Sequence, residues 1–75
     1  MNEIEKKIMM LFGDGNRVDC LARLGEQLQT ADDRDRQKHI LNVIAKVCSF
    51  ETDAMFQAYI AELRKEAGYD SADKV

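Results

Sequence analysis

Apolar residues are concentrated in one segment near the middle of the chain, residues 40–48. On a helix that turns by about 100° per residue, the apolar side chains of this segment cover an arc of roughly 200°. In order around the arc they are Val43, Val47, Ile40, Ile44, Cys48, Leu41 and Ala45. A helix on the outside of a core buries a stripe nearer ~100°. We therefore expect this helix to be covered from two sides, by other helices of the chain or by a second copy.

Two amphipathic segments precede this helix. Helix one is predicted over residues 2–12, with Asn2 as N-cap, Glu5 in capping-box spacing and Gly13 as a left-handed C-terminal stop. Its predicted inner face consists of Ile4, Ile8, Leu11 and Phe12, with Met9 beside it and Met10 pointing elsewhere. Helix two is predicted from Arg17 to Gln29 after an Asn16 cap. Its predicted stripe is Val18, Leu21, Leu24 and Leu28, and Gly25 near that stripe favours close helix packing over a bend.

The third and fourth helices follow after short polar segments. Helix three is predicted over residues 31–48 with Thr30 as its cap. Helix four is predicted from Phe50 or Asp53 to Ala67, with Ser49 and Thr52 as competing caps and Gly68 at its end. Its predicted inner stripe is Phe56, Tyr59, Ile60, Leu63 and Ala67.

The short connections predict the fold, because helices joined by a few residues run roughly antiparallel. We expect an all-α protein, a small up-down four-helix bundle with short loops, in which helix three is central and homodimerisation can complete its burial. Residues 1–68 are predicted to form a single helical domain, and residues 69–75 a short polar C-terminal tail.

The charge pattern bears on nucleic-acid binding. Of the 75 residues, 33% are charged, and the net charge of −3 is spread along the chain without a basic block. Nucleic-acid binders usually carry a positive stripe, so this class is disfavoured. As the alternative function, a DNA-binding transcriptional regulator would use helix two or three, with these candidate contacts: Arg17, Arg23, Gln27, Arg34 and Arg36.

The sequence contains few features that favour catalysis or cofactor binding. Cys20 and Cys48 are interpreted as buried free thiols of a cytoplasmic protein, and neither a membrane span nor a secretory signal is recognised. No zinc spacing occurs, and a calcium loop counted from Asp14 fails at its ligand positions. His39, the one histidine, is expected to form a surface contact with Asp35 one turn earlier. We expect no enzyme activity, metal or cofactor.

Partner binding is the function that these observations favour. Flexible methionines and aromatic anchors are typical of adaptable contact surfaces. The candidate partner-binding residues are Met9, Met10, Phe12, Leu41, Met55 and Tyr59. The predicted function is a non-enzymatic protein–protein interaction module, that is, a small acidic cytosolic regulator, adaptor or inhibitor of the kind that phages and mobile elements use as accessory proteins. The expected partner is another protein, a second copy of the chain, or both.

Overall fold

A computed structural model describes residues 2–13 and 15–68, and this part of the chain contains four helices and no strand. They are α1 (Glu3–Phe12), α2 (Arg17–Thr30), α3 (Arg34–Cys48) and α4 (Asp53–Glu66). Three or four residues connect each helix to the next. The predicted all-α four-helix bundle with short loops is confirmed. The predicted tail, residues 69–75, lies outside the described residues.

Contacts between helix ends establish the direction of the helices. Lys6 Nζ lies 4.0 Å from Glu66 Oε1, so α1 begins where α4 ends. Arg17 Nε lies 2.8 Å from Asp53 Oδ1, so α2 and α4 begin at the same end of the bundle. The chain therefore passes up and down through the bundle, as the short connections predict.

Side chains cap the four helices; the caps of α1 and α2 are as predicted, and Thr52 is the one of the two competing candidates that caps α4. The side-chain oxygens of Asn2, Asn16 and Thr52 accept hydrogen bonds from the amides at the starts of α1, α2 and α4. The predicted cap of α3 is wrong, because the capping carboxylate belongs to Asp33, which accepts from Asp35 N at 3.0 Å. Thr30 lies in the last turn of α2, and its hydroxyl donates to carbonyl oxygens of that turn.

The core lies between all four helices, and α3 holds the central place in it. The α2–α3 and α1–α3 pairs are the most extensive helix contacts, and both involve α3. Ile40, Val43 and Val47 of α3 are completely buried. The other buried apolar residues are Ile8, Met9, Met10, Cys20, Leu24, Phe56, Ile60 and Leu63.

The inner face of α1 differs from the prediction. Ile4 and Leu11 are 51% and 69% exposed, and Met10 is buried. The buried side of α1 follows Glu5, Ile8, Met9 and Phe12, which are spaced i, i+3, i+4 and i+7, while Met10 lies beside Leu63 of α4. The prediction is right for Ile8 and Phe12 and wrong for Ile4 and Leu11, because one position of the buried stripe is occupied by a charged residue, Glu5.

Two predictions about glycines are wrong. Gly13 has φ −85°, so it is not left-handed, and a Cβ there would lie 2.6 Å from Ile60 Cδ1 and from Met9 O. Gly13 is thus needed for the close approach of α4. At Gly25 a Cβ would meet nothing within 4 Å, so this glycine does not mark close packing.

Two further positions of the predicted stripes lie outside the core. Val18 at the start of α2 is 74% exposed, although α2 buries Cys20 and Leu24 as part of the same helix. Ala67 is also exposed, because α4 ends at Glu66 and Ala67 is its C-cap. Both residues lie at a helix end, where neighbouring helices no longer cover the side chains.

Candidate interaction surface

The apolar arc of α3 is only partly covered by the chain itself. Leu41 is 52% exposed, and Ala45 and Cys48 are also exposed. These three residues, spaced i, i+4 and i+7, form one line along α3, with the half-buried Ile44 between the line and the core. We call these four residues the α3 stripe. The prediction that Cys48 is buried is wrong, whereas Cys20 is buried as predicted.

Neighbouring helices on either side explain why the α3 stripe faces solvent. On one side of α3, His39 and Asn42 bind Glu5 of α1. On the other side, Gln37 Nε2 donates to the carbonyl oxygen of Ala31 at the end of α2, at 2.8 Å. The α3 stripe lies on the perimeter that α1 and α2 leave open. Two helices suffice to cover a stripe of ordinary width, but this arc is wider.

Charges flank the two ends of the α3 stripe with opposite signs. Arg34 and Lys38 are exposed on α3 before Leu41. Glu51 is exposed in the connection that follows Cys48. Two exposed basic side chains, with the exposed Asp35 between them in the sequence, thus precede the stripe, and an exposed acidic side chain follows it.

A cluster of polar side chains around the buried Glu5 joins α1 to α3. Glu5 is 6% exposed, and its Oε2 lies 2.8 Å from His39 Nδ1 and 2.9 Å from Asn42 Nδ2. The Glu5 amide donates to Asn2 Oδ1 at 2.9 Å, which fixes the Asn2 side chain beside the imidazole. The predicted contact of His39 with Asp35 is wrong, because the imidazole instead contacts the carboxylate of another helix.

Hydrogen bonding keeps Glu5 ionised. Donation from Asn42 and then from His39 lowers the pKa of Glu5 below its ordinary value of 4.5, although burial opposes this shift. Because an ionised carboxylate only accepts hydrogen bonds, His39 Nδ1 must carry the hydrogen in this contact. The arrangement holds the imidazole in one orientation and ties α1 to α3.

A shallow depression adjoins His39. Ile4, Asp33, Asp35, Arg36 and His39 line it, and its volume is about 350 Å³. No serine, threonine, cysteine or lysine side chain is among these lining residues. Within residues 2–13 and 15–68, no three His, Cys, Asp or Glu side chains come together in a way that could hold a metal ion.

Arg17, a candidate nucleic-acid contact, is half-buried and binds residues of the chain at one end of the bundle. Its amide and Nε donate to Asp53 Oδ1 at 3.1 and 2.8 Å, and its Nη1 donates to the Phe50 carbonyl at 2.6 Å. These hydrogen bonds, first the side-chain one, lower the pKa of Asp53. Arg17 thus binds the start of α2 to the start of α4.

The other candidate nucleic-acid contacts lie at least partly on the surface. Arg23, Arg34 and Arg36 are exposed and Gln27 is half-buried. Exposed aspartates, Asp33 and Asp35, alternate with the arginines at the start of α3. If the start of α3 approached DNA, these carboxylates would lie near the phosphates, which carry the same charge.

The candidate partner-binding residues fall into three groups. Met9 and Met10 are buried in the core, so they cannot contact a partner without unfolding of α1. Phe12 and Tyr59 are half-buried, and the Tyr59 ring lies 5.2 Å from Phe50 with Lys46 Nζ 5.0 Å above it. Leu41 and Met55 are exposed. The structure thus leaves Leu41, within the α3 stripe, and Met55 on the surface.

Sequence reasoning missed two of the polar contacts that join the helices. Glu5 was interpreted as a capping residue, and the Arg17–Asp53 pair was not recognised. A partial signal exists for Glu5, because it lies at i−3 and i−4 from the apolar Ile8 and Met9. The Arg17–Asp53 pair is separated by 36 positions and leaves no local pattern.

Further findings concern membranes and related proteins. None of the four helices in the described part of the chain has both the length and the apolar character needed to cross a membrane. A comparison of the chain with models of protein families, with curated proteins and with solved structures gave no match.

Proposed function

We propose that this protein is a non-enzymatic protein–protein interaction module, a small regulator, adaptor or inhibitor, and that the α3 stripe is its contact surface. The observation that carries the proposal is the line of exposed apolar side chains at Leu41, Ala45 and Cys48 along α3, the helix that makes the most extensive contacts with its neighbours. We place this activity in the cytoplasm, where free thiols such as Cys48 are kept reduced.

Burial of the stripe by a partner is energetically favourable. Apolar surface removed from water contributes about 25 cal/mol per Å². Ile44 is already half-buried and rigidly supported by the core beneath it, so a partner orders little additional structure on binding. Ala45 has a small side chain, which lets another backbone approach α3 closely.

Other exposed apolar residues form a weaker candidate surface. Ile4 and Leu11 lie two turns apart on α1, and the residues between them on that side are the exposed Lys7 and the buried Ile8. Val18 and Met55 lie at the same end of the bundle, near the starts of α2 and α4, and do not form a continuous line on one helix. Apolar residues that are exposed singly are common on protein surfaces, whereas a continuous line indicates a contact.

The proposal is tested by placing a charge in the middle of the α3 stripe. Ala45→Glu is compared with Ala58→Glu, since both alanines are exposed within helices but Ala58 belongs to α4. Tagged chains are cross-linked inside cells that express them, and the cross-linked complexes are separated by mass. We expect Ala45→Glu to lose the complexes that the unmodified chain and Ala58→Glu retain.

Both variants should keep the thermal unfolding midpoint of the unmodified chain, because neither alanine is in the core. If Ala45→Glu retains every complex, the α3 stripe is not the contact surface and the proposal is wrong.

A further inference from the structure

We propose that the partner of the α3 stripe is a second copy of this chain, with the two α3 helices packed antiparallel about a two-fold axis. This inference rests on the function proposed above and names the occupant of the same surface. A two-fold interface uses one patch twice, so the patch must be complementary to itself. The α3 stripe meets this requirement in shape and in charge.

The apolar part of the stripe is symmetric about its own middle. Leu41 and Cys48 lie at equal distances from the point between Ile44 and Ala45. A two-fold axis at that point places Leu41 opposite Cys48 of the second copy, and places both Ala45 residues next to the axis. The small alanine side chains then lie where the two helices approach most closely.

The flanking charges select the antiparallel direction. The same axis brings the first half of α3, where Lys38 is exposed, towards the segment of the second copy that follows Cys48, where Glu51 is exposed. Both residues are exposed in the single chain. A parallel pairing would instead bring Lys38 against Lys38 and Glu51 against Glu51, and like charges at an interface oppose association.

The expected dimer is a weak one. The stripe covers about two helical turns, and contacts of this size belong to the small, transient class of interfaces. We expect a dissociation constant of roughly micromolar order or weaker. Dimer and monomer should therefore both be present in the concentration range of sedimentation measurements.

Sedimentation equilibrium of the full chain over a wide concentration range tests the inference. The unmodified chain and the control Ala58→Glu should approach the mass of two chains, and Ala45→Glu should remain a monomer. Lys38→Glu and Glu51→Lys should each raise the dissociation constant by about three- to tenfold, because each places like charges together. The double variant Lys38→Glu/Glu51→Lys should restore dimerisation.

Cross-linking provides an independent measurement. In a Cys48→Ser background, Ala45→Cys should form a disulfide-linked dimer on mild oxidation, because position 45 lies next to the axis. Ala58→Cys in the same background should remain a monomer.

The outcomes separate this inference from the proposed function. A chain that is monomeric at all concentrations overturns the second copy as partner, while the proposed function stands if Ala45→Glu still loses complexes in cells. A dimer that Ala45→Glu does not weaken overturns the assignment of this surface. Failure of the double charge variant to restore dimerisation overturns the antiparallel geometry.

Discussion

Glu5 is a charged side chain at a position where α1 would otherwise carry an apolar one. It remains ionised because Asn42 and His39 replace the hydrogen bonds of water. Among the described residues, no buried side-chain nitrogen or oxygen lacks a partner. The cluster thus stabilises the α1–α3 contact only as long as all of its members are present, since a remaining buried group would lose its partner.

Glu5→Gln should lower the free energy of unfolding at neutral pH by about 1–2 kcal/mol, because hydrogen bonds to a charged group are stronger than those to an amide. The matched control is Glu3→Gln, which removes an exposed carboxylate from the same helix turn and should change stability little. Urea unfolding followed by circular dichroism measures both variants.

The stabilisation by Glu5 should depend on pH in a defined direction. The pKa of Glu5 is lowered in the folded protein, so its contribution is complete above the ordinary value of 4.5 and is lost as the pH falls through the lowered value. The difference in stability between the unmodified chain and Glu5→Gln should therefore shrink in acid. A difference that stays constant down to pH 2 would contradict an ionised Glu5.

Two glycine substitutions should have opposite effects. Gly25→Ala should raise the free energy of unfolding by roughly 0.5–1 kcal/mol, because Gly25 is in a helix interior with open space around its Cα. Gly13→Ala should destabilise the protein, since the new Cβ would overlap with Ile60 and the Met9 carbonyl. Thermal unfolding midpoints that move in the same direction for both variants would contradict this description.

At the scale of elements, local signals predicted the helices well. Asn2, Asn16 and Thr52 cap the helices because their side chains accept hydrogen bonds from amides two or three residues later, which is a local property. The start of α3 was placed too early because Thr30 and Asp33 are both competent caps. Which of the two residues caps α3 depends on where α2 ends. Because α2 continues through Thr30, the cap is Asp33.

The start of α4 can be tested directly, since the sequence left two caps open. Thr52→Ala should lower the free energy of unfolding by about 1 kcal/mol, because Thr52 Oγ1 accepts from the Met55 amide. Ser49→Ala is the control, because the Ser49 hydroxyl donates to the Lys46 carbonyl at the end of α3 and caps no helix start. Equal losses of stability in the two variants would contradict the assignment of Thr52 as the cap of α4.

For the molecule as a whole, α3 has one side that the fold requires and one side that it leaves exposed. Val47→Asp should prevent folding, since it places a charge in a fully buried site. Leu41→Asp should leave the monomer folded, because half of that side chain is already in water. The dispersion of amide resonances in proton–nitrogen correlation spectra distinguishes the two results.

The candidate surface was predictable in part from the sequence. The width of the apolar arc on α3 predicts cover from two sides, by other helices of the chain or by a second copy, and the described helices leave Leu41 52% exposed. The methionines were assigned less well, because amphipathicity alone does not determine which side of α1 faces α3 when a charged residue takes part in the contact. Met10 is consequently a core residue.

The buried carboxylate also determines how α1 is aligned along α3. Methionines adapt to many packing partners, so an apolar contact containing Met9 and Met10 would tolerate α1 in several positions along its neighbour. A slip by one turn would move Glu5 by about 5.4 Å, beyond the reach of His39 and Asn42, and would leave a bare charge inside the protein. Glu5 therefore favours one alignment of α1 along α3, in addition to the close approach at Gly13. Glu5→Leu should allow further alignments, which would be seen as additional amide resonances in proton–nitrogen correlation spectra.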